Sequence, residues 1–251
     1  MPFRTGIVVP CYNEARRLRV GEFEKFLDPD GTDATLIFVD DGSRDETLAV
    51  LKRILAGRED RVRVLALPAN CGKAEAVRHG MQYAFEQDFE YAGYWDADLA
   101  TPLGAIAQLA SVLTEKPEVE MVFGSRVKLL GRHVERKASR HYVGRVFATA
   151  ASLVLKMPVY DTQCGAKMFR ATETTRRLFD QPFLSRWIFD VEMIARYIEL
   201  RQSAADAAQG IYEYPLHTWT DVGGSKLRAK DFARAAFDLW RISRKYDLRS
   251  V

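Results

Sequence analysis

The feature that most limits what this chain can fold into is the rhythm of its N-terminal half. Short apolar runs rich in β-branched residues alternate there with segments of helical periodicity. Thr5–Pro10 (TGIVVP) and Ala34–Asp40 (ATLIFVD) lack the every-other-residue polarity of a half-exposed strand, so both read as strands covered on two faces. Ser43-Arg44-Asp45-Glu46 has the pattern of a capping box. It opens a predicted helix with Leu48, Leu51, Ile54 and Leu55 on one side and Gly57 at its end. Arg61–Leu67, Tyr91–Trp95 and Val119–Phe123 are further strands, and Lys73–Gln87 and Pro102–Glu115 are helices. The expectation is an α/β fold of Rossmann-like type: a mostly parallel central sheet with right-handed crossovers, flanked by helices. Ligands of such sheets sit outside the carboxyl ends of the strands.

The C-terminal half is less regular. The basic stretch Lys128–His141 reads as a mobile loop, Tyr142–Lys156 as a helix, and Asp161–Gly165 as a polar turn. Arg186–Leu200 reads as a helix, Ile211–Leu216 as a strand and Asp221–Ser225 as a Gly-rich flexible stretch. Ala229–Lys245 is predicted to be a basic amphipathic C-terminal helix. With no repeat and no low-complexity linker, the 251 residues are expected to form one domain.

Charge is nearly balanced at +3 overall, but two segments are locally basic. Seven Lys/Arg face only Glu135 between Arg126 and Arg145, and eight face three acids from Val222 onward. Solvated helix faces and attraction toward an anionic surface both fit that pattern. Cys11, Cys71 and Cys164 have neither disulfide-framework nor metal-site spacing, which suggests reduced thiols and a cytoplasmic setting. The N-terminus reads straight into a strand without a leader. No apolar run reaches the roughly 18 residues of a spanning helix. A soluble or peripherally membrane-bound protein is expected, with no nucleic-acid partner.

Chemistry concentrates where the strands end. Asp96 and Asp98 follow the apolar strand Tyr91–Trp95, and two carboxylates one residue apart can share a divalent cation that neutralises a diphosphate. The equivalent spacing at Asp28-Pro29-Asp30 precedes Gly31 and reads as a surface turn. The first strand ends in Pro10-Cys11-Tyr12-Asn13-Glu14, and the second in Asp40-Asp41-Gly42-Ser43. A carboxylate there can accept from a base N–H or ribose hydroxyls, with Tyr12 as an apolar wall. Ser43 already caps the helix in this reading, which leaves the two adjacent acids without a structural task. Lys73, in the first turn of its helix, opposes the helix dipole and is better explained by a phosphate than by stability. Neither a Gly-rich dinucleotide fingerprint nor a P-loop is present, which argues against dehydrogenases and ATPases.

The ordered set PCYNE, VDDGS, NCGKAEAV, DADLAT and GSR resembles an inverting family 2 glycosyltransferase of the GT-A type. DTQCGAKMF from Asp161, RWIFDVE from Arg186 and WTDVGGSK from Trp219 resemble its dolichyl-phosphate β-glucosyltransferase and polyprenyl-phosphate glycosyltransferase branch. The resemblance spans nearly the whole chain. It implies a single domain over 1–251, with residues 1–125 as the nucleotide-sugar and metal half and 126–251 as the acceptor half. Pro10, Tyr12, Glu14, Asp41, Lys73 and Asp96 would bind the nucleotide-sugar, and Asp96 and Asp98 a Mg2+ or Mn2+ ion. Arg126 would lie near the diphosphate or the acceptor phosphate. The donor would be a UDP-hexose, UDP-glucose foremost, with GDP-mannose as the other option. The acceptor would be a polyprenyl or dolichyl phosphate.

A phosphate acceptor is largely ionised near neutral pH and needs no strong base, whereas a hydroxyl (a diacylglycerol, small molecule or glycan) needs one. Asp190 is the candidate base, since Arg186, Asp190 and Ile194 would share one helix face. A plain Arg186–Asp190 pair is the rival explanation. Arg186, Gln163 and Lys226 are candidate acceptor contacts. A non-catalytic nucleotide-sugar binding module and a sugar nucleotidyltransferase are the remaining readings, and the second lacks its Gly-rich activation loop here.

Overall fold

A computed structural model describes residues 4–28, 33–135, 138–222 and 229–246. In chain order the elements are β1 (Thr5–Cys11), α1 (Val20–Leu27), β2 (Ala34–Asp40), α2 (Thr47–Leu55), β3 (Val62–Ala66), α3 (Lys73–Glu86), β4 (Tyr91–Trp95), α4 (Ala105–Glu115) and β5 (Met121–Ser125). They continue with β6 (His133–Glu135), α5 (Ala138–Leu155), β7 (Ala166–Arg170), α6 (Glu173–Arg177), α7 (Phe189–Arg201), α8 (Ala204–Gln209), β8 (Ile211–Pro215), β9 (Thr218–Thr220) and α9 (Ala229–Lys245). Seven strands form one sheet in the order β3-β2-β1-β4-β7-β5-β8, and β6 pairs with β9 in a small second sheet. Every pairing in the large sheet is parallel except those of β7, which runs antiparallel to β4 and β5. The α/β class and the mostly parallel sheet are as the sequence implies.

Strand side chains alternate between two apolar cores, one on each face. Ile7, Val9, Leu36, Phe38, Trp95 and Met168 pack with α1, α2 and α4. Val8, Ile37, Val39, Tyr94, Phe123 and Phe169 pack with α3, α5, α7 and α9. This two-sided burial is why β1 and β2 read as continuous apolar runs. Helix α3 lies directly on the sheet at Gly80, where a Cβ would overlap the side chains of Val8 and Val39.

Four expectations need correction. Strand β7 was not expected: its AKMFR carries Lys167 and Arg170, and Lys167 is fully buried by virtue of a partner 23 residues away. The stretch 128–141 is not a plain loop, since β6 pairs with β9 and α5 begins at Ala138. The capping box of α2 does not form. Ser43 Oγ accepts from Asn13 N and Asp45 Oδ2 from Ala15 N, tying the β1 and β2 loops together, while Asp45 Oδ1 accepts from Thr47 N. Helix α7 starts at Phe189 rather than Arg186, because Ser185 Oγ accepts from both Trp187 N and Ile188 N and holds a turn there. Arg186 is therefore not on the helix, and the shared Arg186–Asp190 face does not exist. Pro29 and Asp30 of the surface turn, and Gly223–Ser225 of the Gly-rich stretch, lie outside the described residues.

Replacing Gly80 by Val should destabilise the protein by about 1–3 kcal/mol through overpacking against Val8 and Val39. Urea unfolding followed by circular dichroism measures it, and an unchanged midpoint would contradict this packing.

Candidate active site

The loops after β1, β2, β3 and β4 converge on a cleft of about 460 Å3 at the carboxyl edge of the sheet. Pro10, Tyr12, Glu14, Asp41, Lys73, Asp96 and Asp98 all line it, so the structure brings together every residue expected to bind nucleotide-sugar or metal. Arg17, Asn70 and Val222, which the sequence did not single out, line it too.

Asp41 is nearly inaccessible at 2% exposure, and its carboxylate organises the loop before α3. Oδ1 accepts from Cys71 N at 2.7 Å, and Oδ2 from Asn70 Nδ2 and Gly72 N, both at 2.8 Å. Gly42, at φ +63°, lets the β2 loop touch the Ala69–Asn70 backbone, where a Cβ would collide. Asp40 Oδ1 accepts from Ser43 N at 3.3 Å. The expectation that these acids lack a structural task is thus corrected. A carboxylate offers about four acceptor positions, so Asp41 with three in use keeps one for a ligand N–H.

Opposite lies the Asp96–Asp98 turn. Asp96 N donates to the Gly165 carbonyl at 2.9 Å, and Asp96 Oδ1 meets Lys73 Nζ at 2.5 Å. Asp98 Oδ1 accepts from Ala100 N at 3.0 Å, and Arg19 Nη2 clamps the Asp98 and Leu99 carbonyls from outside. Burial raises the Asp98 pKa above the ordinary carboxylate value, with the charge of Asp96 adding to it. Glu14 is shifted upward as well, by burial and by Asp98, Asp45 and Asp96, although Arg17 opposes the shift. Burial works against the charge of Lys73, yet Asp96, Asp190 and Asp98 outweigh it and hold its pKa above the usual lysine value.

These acids crowd one another. That is the electrostatic condition a divalent cation relieves. Among the described residues no group of three or more His, Cys, Asp or Glu is arranged to hold a metal. Two carboxylates suit an ion whose remaining ligands are diphosphate oxygens and water. The donor set therefore fits Mg2+ or Mn2+.

Asp190 does not line the cleft. It is 5% exposed, and its Oδ1 accepts from the Tyr94 hydroxyl at 2.5 Å and from Lys167 Nζ at 2.6 Å. Gln163 Nε2 reaches Oδ2 only at 3.5 Å. Burial, then the Asp190 charge, push the Tyr94 pKa well above that of free tyrosine, so Tyr94 remains a donor. Removing one partner of such a buried pair costs about 3–5 kcal/mol.

Arg126 is committed elsewhere: Nε and Nη2 grip both oxygens of Asp161 at 2.6 and 2.7 Å, over the Trp219 ring. Burial lowers its pKa, but Asp161 outweighs that and raises it. Arg186 is exposed, and its aliphatic stem lies over Gly72, beside Lys73. Its turn is latched to the C-terminal helix by Ser185 Oγ, which donates to Asp238 Oδ2 at 2.7 Å. Lys226 lies outside the described residues. Lys167, Tyr94 and Gly165 were missed by sequence reasoning. Only Gly165 carried a signal, its place in the polar turn.

Residues 6–174 match the family described as glycosyl transferase family 2. The chain is 30% identical to the dolichyl-phosphate β-glucosyltransferase of Dictyostelium discoideum, over 94% of this chain and 76% of that protein. It is 33% identical to the human dolichyl-phosphate β-glucosyltransferase, over 88% and 69%. Among solved structures, glucosyl-3-phosphoglycerate synthase from Mycobacterium tuberculosis, crystallised with Mn2+, UDP-glucose and phosphoglyceric acid, superposes with a TM-score of 0.67. That match covers 97% of this chain and 80% of the other at 17% identity, and shows a shared GT-A fold.

Proposed function

The chain belongs to glycosyl transferase family 2, and we propose that it transfers glucose from UDP-glucose, with inversion, onto a polyprenyl phosphate. The carrying observation is that the loop anchored by Asp41 and the Asp96–Asp98 pair line one cleft, with Lys73 in the same cleft on Asp96. The relatives' names support the donor and acceptor classes.

In this reading uracil lies against Tyr12 and the Asn70–Gly72 loop, where Asp41 has its free acceptor position. Asp96 and Asp98 hold Mg2+ or Mn2+, which when bound supplies neutralisation of the departing diphosphate. Lys73 exchanges Asp96 for a diphosphate oxygen as charge develops there. Arg186, exposed beside Gly72, meets the acceptor phosphate, with Gln163 and Lys226 as further contacts. Arg126 acts from behind, fixing the Asp161 turn. Asp190 is no longer the favoured base, since one of its oxygens already accepts from Tyr94 and Lys167. A hydroxyl acceptor needs a base, so this geometry favours the phosphate, which attacks already ionised.

Incubating the protein with UDP-glucose, Mg2+ or Mn2+ and a short polyprenyl phosphate should yield the glucosylated lipid. Asp98→Asn should lower turnover at least about a hundredfold, the loss expected from several kcal/mol of charge stabilisation. Full metal-dependent activity in that variant would overturn the assignment of Asp98. No product from any UDP- or GDP-sugar would overturn the reading itself.

Peripheral membrane contact is part of the proposal. Among the described residues no helix is long and apolar enough to cross a membrane. Helices α5 and α9 pack against each other and expose large apolar side chains: Val146 (73%) and Leu153 (76%) on α5, and the stacked Phe237 (57%) and Trp240 (56%) on α9. Arg234 and Arg244 lie on the same basic helix. Such a surface suits the headgroup boundary of an anionic bilayer. Phe237→Ser with Trp240→Ser should weaken co-sedimentation with phosphatidylglycerol vesicles by about tenfold or more. Turnover of a water-soluble acceptor should not change. Undiminished vesicle binding would remove this surface from the proposal.

A further inference from the structure

Lys167 is the least expected residue in the sheet. It sits in the middle of β7, paired with Tyr94 on β4 and Phe123 on β5, and its side chain is 0% exposed. All three ammonium hydrogens have acceptors: the Thr162 carbonyl at 3.0 Å, the Cys164 carbonyl at 2.6 Å and Asp190 Oδ1 at 2.6 Å. The Tyr94 and Phe123 rings flank it at 5.4 and 5.2 Å. One buried cation thus joins a turn to the first turn of α7.

That turn carries the floor of the donor site. The Gly165 carbonyl accepts from Asp96 N, and a Cβ on Gly165 would overlap the Asp96 carboxylate. Asp96 therefore rests on Gly165, and its position is set by where the turn is held. From outside, Asp161 is gripped by Arg126, and the Tyr160 and Asp161 amides donate to Glu213. From inside, Lys167 alone among the described side chains donates to the Thr162 and Cys164 carbonyls.

We propose that Lys167 is a positioning residue for nucleotide-diphosphate binding: its buried ammonium pulls the Thr162–Cys164 turn toward Asp190 and so holds Gly165 beneath Asp96, setting the geometry of the Asp96–Asp98 pair. The inference rests on the reading that this pair binds a cation and a diphosphate. Loss of the tether lets Gly165 shift, and the carboxylate resting on it shifts too. A purely structural ion pair would behave differently, because replacing both buried charges with neutral groups would then leave ligand binding as it was.

Calorimetric titration of UDP, with Mn2+ and again with EDTA, separates the cases. Lys167→Met combined with Asp190→Asn removes both charges and keeps an acceptor for the Tyr94 hydroxyl. Folded double variant, checked by circular dichroism, should bind UDP at least about tenfold more weakly in Mn2+, with the EDTA affinity unchanged. Gly165→Ala pushes on Asp96 without touching the buried pair, at a φ that any residue can adopt, and should give the same selective loss. It serves as the test should the double variant fail to fold. Wild-type affinity for UDP in Mn2+ in either folded variant would overturn the inference. A wild-type protein whose UDP affinity ignores Mn2+ would instead overturn the donor-site reading beneath it.

Discussion

Crowding of negative charge at one edge of a sheet is the constraint around which this structure is arranged. Glu14, Asp96 and Asp98 lie close enough that burial and mutual repulsion raise the pKa of Glu14 and Asp98. A fold has no stability reason to gather three carboxylates in a half-buried cleft, because each loses hydration and their charges repel. The close cations are Arg17 on Glu14, at 3.2 Å, and Lys73 on Asp96, the latter in a helix turn whose dipole disfavours it. In the proposed reading both oddities resolve when the cleft receives a divalent cation and a diphosphate. The cation then satisfies the acids, and the phosphates satisfy the lysine.

Beneath that surface a second, drier layer of ion pairs fixes the geometry. Arg126–Asp161, Lys167–Asp190 and Arg196–Glu192 are each nearly or fully buried; the first joins the loop after β5 to the turn before β7, the second joins β7 to α7, and the third lies within α7. Such pairs contribute less to net stability than well-packed apolar groups would, but removing one partner leaves an uncompensated buried charge. Glu192 illustrates the reach of this layer: it accepts from Leu184 N, Arg196 and Tyr246, so one carboxylate links α7 to the loop that leads to Arg186 and to the end of the C-terminal helix. The helix with exposed Phe237 and Trp240 is thereby coupled, through Asp238 and Ser185, to the loop that presents Arg186.

Much of the candidate donor site was legible in the sequence because its residues sit at the ends of local, strongly patterned strands. Asp41, Asp96 and Asp98 each lie within three residues of the end of an apolar run, so the position of each could be read from the strand before it. What stayed hidden depends on contacts distant in sequence. Lys167 looks like a break in a strand until Asp190 is placed beside it, and only the antiparallel insertion of β7 does that. Asp41 appeared free because its partners, Asn70, Cys71 and Gly72, come from the next loop. The start of α7 was misplaced for a local reason. Periodicity runs back to Arg186, but the hydroxyl of Ser185 stops the helix short of it.

Anomalous diffraction from crystals grown with UDP and Mn2+ addresses the convergence of these loops most directly. A manganese peak should lie within coordination distance, roughly 2.0–2.3 Å, of an Asp98 carboxylate oxygen. In the same molecule the uracil ring should face Tyr12 and the loop that Asp41 anchors. A peak away from Asp98, or a uracil outside that cleft, would show that the strand ends do not meet on one ligand.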